Sequence, residues 1–175
     1  MNTQQLEEVL TKDRYVGRIF NGVFARDQLP KFQNGAYVIN TDPADLPGEH
    51  WVAVYATTSI VEYFDSYGGE PITSLKRWWK RKWTHNPVPL QSPLSSVCGQ
   101  YCIYYLFHRA RGIDLDTMLM DFGPDVDYND EWVHQFVQER YDLHGLKLLD
   151  TEGVITQLAR ARVSAPSIRK LVSGQ

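Results

Sequence analysis

The chain has 175 residues, 43% of them hydrophobic and 13% aromatic, ample material for the core of one domain. A formal net charge of -3 excludes a global field that would draw it onto nucleic acid or membrane, so any such partner needs a local patch. No stretch approaches the roughly 20 apolar residues of a membrane span, and the polar start Met1-Asn2-Thr3-Gln4-Gln5 lacks the regions of a signal peptide; a soluble, intracellular protein is expected.

Thr3 is expected to cap a first helix carrying Leu6, Val9 and Leu10 and ending before Gly17. Phe20 to Phe32, punctuated by Gly22 and Pro30, reads as loop, and Ala36-Tyr37-Val38-Ile39-Asn40 as a strand. Thr41 to Glu49 is a surface connection. Trp51 to Thr57 and Ile60 to Asp65 are β-rich runs separated by Thr58-Ser59, which predicts a hairpin. With a two-residue turn Val52 lies opposite Asp65, so His50 and Asp65 share a face as diagonal neighbours; one more turn residue would separate them.

Pro71 to Trp83 fits a helix opened by proline, and Val88 to Gln91 a short edge strand. From Cys98 to about Arg111 the chain is apolar almost all round, as a buried central helix should be, and Gly112 stops it. A further helix runs from about Asn129 to Tyr141, capped by Asn129 or Asp130. These elements predict a single domain over residues 1–150, followed by a basic, partly disordered tail over 151–175 that carries Arg160, Arg162, Arg169 and Lys170.

Cys98 stands where a loop gives way to the buried helix, so its sulfur lies near unpaired N–H groups and the positive end of the dipole, which favours a thiolate. His50 can serve as its base, Asp65 can orient that base, and Gln91 can donate an amide to an oxyanion. Gly99 leaves room for substrate beside the backbone, and the Trp51 indole can cover the imidazole. Cys102, one turn beyond Cys98, reads as a packed thiol, and the spacing of the two is poorly suited to a disulfide; no ligand cluster accompanies Cys102 and His108, so no metal is expected. Lys76, Arg77, Lys80, Arg81 and Lys82 interleave with Trp78, Trp79 and Trp83, the composition of a surface for phosphates and stacked bases; the alternative is an amphipathic helix with its indoles inward.

The ordered set His50-Trp51, Phe64-Asp65-Ser66-Tyr67-Gly68, Gln91 and, seven residues later, Cys98-Gly99 resembles the adenovirus-type cysteine endopeptidases (adenain) and, more distantly, the SUMO- and ubiquitin-like-specific proteases. That resemblance implies an α+β fold with a central mixed β-sheet flanked by helices and the nucleophile at the start of a buried helix. It implies peptide-bond cleavage at glycine-containing sites, with Cys98 as nucleophile, His50 as general base and acid, Asp65 as orienting carboxylate and Gln91 as oxyanion donor. It also implies a viral or mobile-element maturation protease acting as a monomer on viral precursors, in the host nucleus or the virion, with activation by DNA or a peptide. The adenovirus enzymes carry glutamate where this chain has Asp65, and Cys102 does not match their linking cysteine, so a covalent peptide cofactor is not expected. Two other readings stay open: an isopeptidase acting on ubiquitin-like conjugates, and a nucleic-acid-binding protein with an idle protease-like site.

Overall fold

The computed structural model describes residues 1–141; the end of the expected domain and the expected tail at 151–175 lie outside the described residues. Helix α1 (Thr3–Lys12) opens on Asn2, not Thr3: the Asn2 side chain accepts the Gln5 N–H while the Gln5 side chain accepts the Asn2 N–H, a reciprocal capping box. Its buried stripe is Leu6, Val9 and Leu10.

The segment expected as loop after α1 contains strand β1 (Phe20–Ala25), which pairs in parallel with β2 (Gly35–Asn40). Gly22 adopts φ +127° where the register shifts, so a bulge breaks the alternation by which a strand is recognised in sequence. Strands β3 (Trp51–Ala56) and β4 (Val61–Phe64) continue the sheet antiparallel, and β5 (Trp83–His85) closes it in parallel, giving the order β1-β2-β3-β4-β5. β5 precedes the expected edge strand at Val88 to Gln91, a segment without strand structure whose N–H groups bond the Ser66 carbonyl instead.

The β3–β4 register pairs Ala53 with Phe64 and Ala56 with Val61, so the turn is the two-residue one that places Val52 opposite Asp65. Thr-Ser lacks the usual Asn-Gly chemistry. Thr57 compensates, its hydroxyl oxygen accepting the N–H groups of Ser59 and Ile60.

Alternation divides the sheet between two cores. Tyr37, Ile39, Val52, Val54, Val61 and Tyr63 face one side, where they meet Leu75 and Trp79 of α2 (Thr73–Trp79). Ala36, Val38, Ala53 and Phe64 face the other, packed on α1, α3 (Cys98–Arg109) and α5 (Val126–Arg140), with the short α4 (Leu115–Leu119) alongside. Helix α3 is buried from Cys98 to His108, and Tyr105 stacks flat on Phe64 with centroids 4.6 Å apart. The α5 cap is Asp125; Asn129 and Asp130, expected to cap it, are buried and hold the loop ahead of α3.

The helix expected over 71–83 ends early, because Lys80 takes the left-handed conformation and the chain turns into β5. Of the two readings of this segment, the one with the indoles inward holds. Trp79 is buried, and Trp78 meets Phe32 and Tyr37 edge-on while its N–H donates to the Pro30 carbonyl at 2.7 Å. Lys76 binds Glu70 and lies over the Trp83 ring, and Arg81 donates to Asn34 and the Thr57 carbonyl. Arg77, Lys80 and Lys82 are exposed without an aromatic platform between them, since the second core needs the indoles.

Candidate active site

The β3–β4 hairpin brings His50 and Asp65 to the same end of the sheet. His50 Nε2 lies 2.8 Å from Asp65 Oδ1, which also accepts the Tyr67 N–H at 2.8 Å. Asp65 is 8% exposed, so the bond is largely shielded from water. A turn follows in which the Gly68 N–H donates to the Asp65 carbonyl. Gly68 has φ +72°, and a Cβ there would lie 2.7 Å from the Val88 carbonyl carbon, so this turn requires glycine twice over.

With Nε2 held by the carboxylate, Nδ1 is the ring nitrogen left for a second partner; it is buried and has no hydrogen bond. Cys98, 7% exposed at the first turn of α3, is the group beside the ring whose ionisation is coupled to it. Burial pushes the Cys98 thiol up, but the imidazole and the backbone N–H groups of Trp51 and Gly99 bring it below the ordinary thiol value. Burial pulls His50 down, yet Asp65 and Cys98 together raise it to about 9. Both shifts run towards a thiolate beside an imidazolium.

The backbone donors follow from strand geometry. Extending the β3–β4 register by two sets Trp51 opposite Ser66, but β4 has ended at Phe64 and the Ser66 carbonyl accepts the N–H groups of Leu90 and Gln91. The Trp51 N–H is left to the sulfur. No side chain caps the start of α3, so its first N–H groups are free for the sulfur or a developing oxyanion.

Gln91 is buried beside this loop. Its Oε1 accepts the Ser66 hydroxyl at 2.6 Å, and its Nε2 lies 3.1 Å from the Ser95 carbonyl and 3.0 Å from the Ser95 hydroxyl. The amide thus braces the loop that delivers Cys98. Two expected substrate contacts are placed elsewhere. The Trp51 indole donates to the Met1 carbonyl at 3.1 Å and packs on the core, because adjacent strand residues point to opposite faces. The space above Gly99 holds Met1 and Leu6, so its missing side chain serves the docking of the N-terminal segment.

The ring that covers His50 is Tyr67, stacked at 4.6 Å with planes 29° apart and 38% exposed. Its place in the Asp-Ser-Tyr-Gly turn, two residues beyond Asp65, was the available signal. Asn86 is the second residue missed. Among the described residues no group of His, Cys, Asp or Glu could hold a metal, no helix is long and apolar enough to cross a membrane, and both cysteines are free.

No family model matches the chain. The fold is that of a solved viral protease: the crystal structure of a protease of African swine fever virus superposes with a TM-score of 0.53 at 16% identity, over 76% of this chain and 66% of that one. In sequence, the cysteine protease of African swine fever virus is 32% identical over 90 residues, which cover 42% of this chain and 32% of the relative. The match thus spans about a third of the relative's length. Both neighbours, in sequence and in fold, are cysteine proteases.

Proposed function

We propose that this chain is a cysteine protease that cleaves precursor proteins at glycine-containing sites, of the kind that matures viral particles. One observation carries the reading: Asp65 holds Nε2 of His50 while Nδ1 stays unpaired in the ring that shifts the Cys98 thiol. Cys98 attacks the carbonyl carbon, and the His50 imidazolium gives its proton to the leaving amine as the C–N bond breaks. His50 then takes a proton from water, which attacks the thioester and releases the acid and the Cys98 thiol. Neither step needs a cofactor.

The N–H groups at the start of α3 stabilise the oxyanion. Gln91 joins them when substrate draws its amide from Ser95, an adjustment common between resting and loaded sites. Glycine next to the scissile bond fits a nucleophile only 7% exposed, because a residue without a side chain approaches such a sulfur most easily. Cys102 is buried within α3, which supports a protease working without a disulfide-linked peptide.

The test is digestion of a peptide library read by mass spectrometry, with Cys98→Ala alongside. Cuts clustered at glycine by the wild type and none by the variant are expected. Cleavage by Cys98→Ala, or none by the wild type, would overturn the proposal. Labelling of Cys98 by ubiquitin-like modifiers bearing a thiol-reactive end, without cleavage of internal glycine sites, would replace it with an isopeptidase.

A further inference from the structure

Strand β4 has spent its ladder partners just where Asp65 must be placed. Its pairing with β5 ends at Tyr63 and His85, so the Asp65 N–H on the β5 side has no ladder partner, and the backbone offers its C=O only the Gly68 N–H of the following turn. Asn86, the next residue after β5 and 0% exposed, supplies both groups from its side chain. Its Oδ1 accepts the Asp65 N–H at 2.9 Å, and its Nδ2 donates to the Asp65 carbonyl at 2.7 Å and to the Val88 carbonyl at 3.3 Å. A primary amide reproduces the donor–acceptor pair of a peptide unit, so Asn86 extends the sheet by one residue without extending the strand.

We infer that Asn86 is a positioning residue for the His50–Cys98 pair, acting through the backbone of Asp65; this rests on the protease reading above. The amide touches neither sulfur nor imidazole in any hydrogen bond of the structure. Its effect is to fix the Cα of Asp65 so that the carboxylate meets Nε2 of His50 at 2.8 Å. The same amide ties Asp65 to Val88 and hence to the segment whose Leu90 and Gln91 N–H groups bind Ser66. A purely structural asparagine would support the fold without altering how the thiol titrates. A positioning one alters the titration, because the imidazolium that stabilises the thiolate depends on the carboxylate.

The experiment follows Cys98 alkylation by iodoacetamide against pH, which reads the ion pair without any substrate, together with peptide turnover and thermal melting. In Asn86→Ala the alkylation curve moves to higher pH and kcat falls about tenfold to a hundredfold, with KM little changed. In an Asp65→Asn background the same substitution adds almost nothing, since the two act as one unit. If Asn86→Ala does not fold, Asn86→Gln, which keeps the amide one methylene further out, carries the same test. An unmoved alkylation curve in the folded variant, or full additivity with Asp65→Asn, overturns the inference. Failure of the protease reading looks different: a wild-type Cys98 with an activated alkylation curve that Asn86→Ala shifts, but no peptide cleaved.

Discussion

The Tyr67 ring lies on the His50 imidazole at a centroid distance of 4.6 Å, so the turn that follows Asp65 shields the base that Asp65 orients. Stacking of this kind contributes about 1 kcal/mol, or about fivefold in rate where it steadies a catalytic ring. Tyr67→Phe keeps the ring and is expected to retain activity, whereas Tyr67→Ala lowers kcat/KM about fivefold. Steady-state kinetics on one glycine-containing peptide decide it, and equal loss in both variants would assign the effect to the hydroxyl.

The activity is expected to be bell-shaped in pH. As pH falls, the Cys98 thiol regains its proton, on a limb lying below the ordinary thiol range. As pH rises, His50 loses the proton it must donate, on a limb near 9. Asp65 raises His50, so Asp65→Asn moves the alkaline limb to lower pH. Linkage has the same sign: because the folded ring titrates above the unfolded one, the pairing stabilises fully below about pH 6.5 and fades as pH rises through about 9. A kcat/KM profile for both proteins, with melting temperatures over the same range, measures both effects.

The two thiols should separate cleanly in reactivity. Burial, reinforced by Cys98 and Asp65, pushes the Cys102 thiol well above its ordinary value, whereas Cys98 is lowered. Iodoacetamide at neutral pH is expected to modify Cys98 alone, with Cys102 reacting only in denaturant. Peptide mapping by mass spectrometry reads the sites. Equal modification in the native protein would contradict the ion pair.

Two glycines next to the site are expected to differ in their tolerance of a methyl group. Gly68→Ala puts a Cβ 2.7 Å from the Val88 backbone at φ +72°, two penalties that a rigid turn has no means of relieving. A loss of about 2 kcal/mol is expected. At Gly99 the nearest atom is Met1 Cβ, 3.1 Å away, in a segment able to shift by a few tenths of an ångström. Its loss should stay below about 1 kcal/mol. Urea unfolding of both variants provides the comparison.

Much of the site was legible in the chain because its determinants are local. Thr57-Thr58-Ser59-Ile60 closes a two-residue turn, and a period of two then carries His50 and Asp65 to one face. The loop before Cys98 and the apolar run after it mark the start of a buried helix in the same way. Other features were set by residues far apart in sequence. Strand β1 is recognisable only from its partner β2, and the indoles of α2 turn inward because the second face of the sheet must be covered. Asn86 reaches Asp65 across 21 residues, and Trp51 reaches Met1 across 50. Local periodicity therefore indicated which groups could react and which register would pair two of them, while the Thr-Ser turn left that register open until the strands were paired. Which amide completes the sheet, which ring covers the base and what fills the space over a glycine were decided by packing, since each depends on a surface that exists only once the chain has closed on itself.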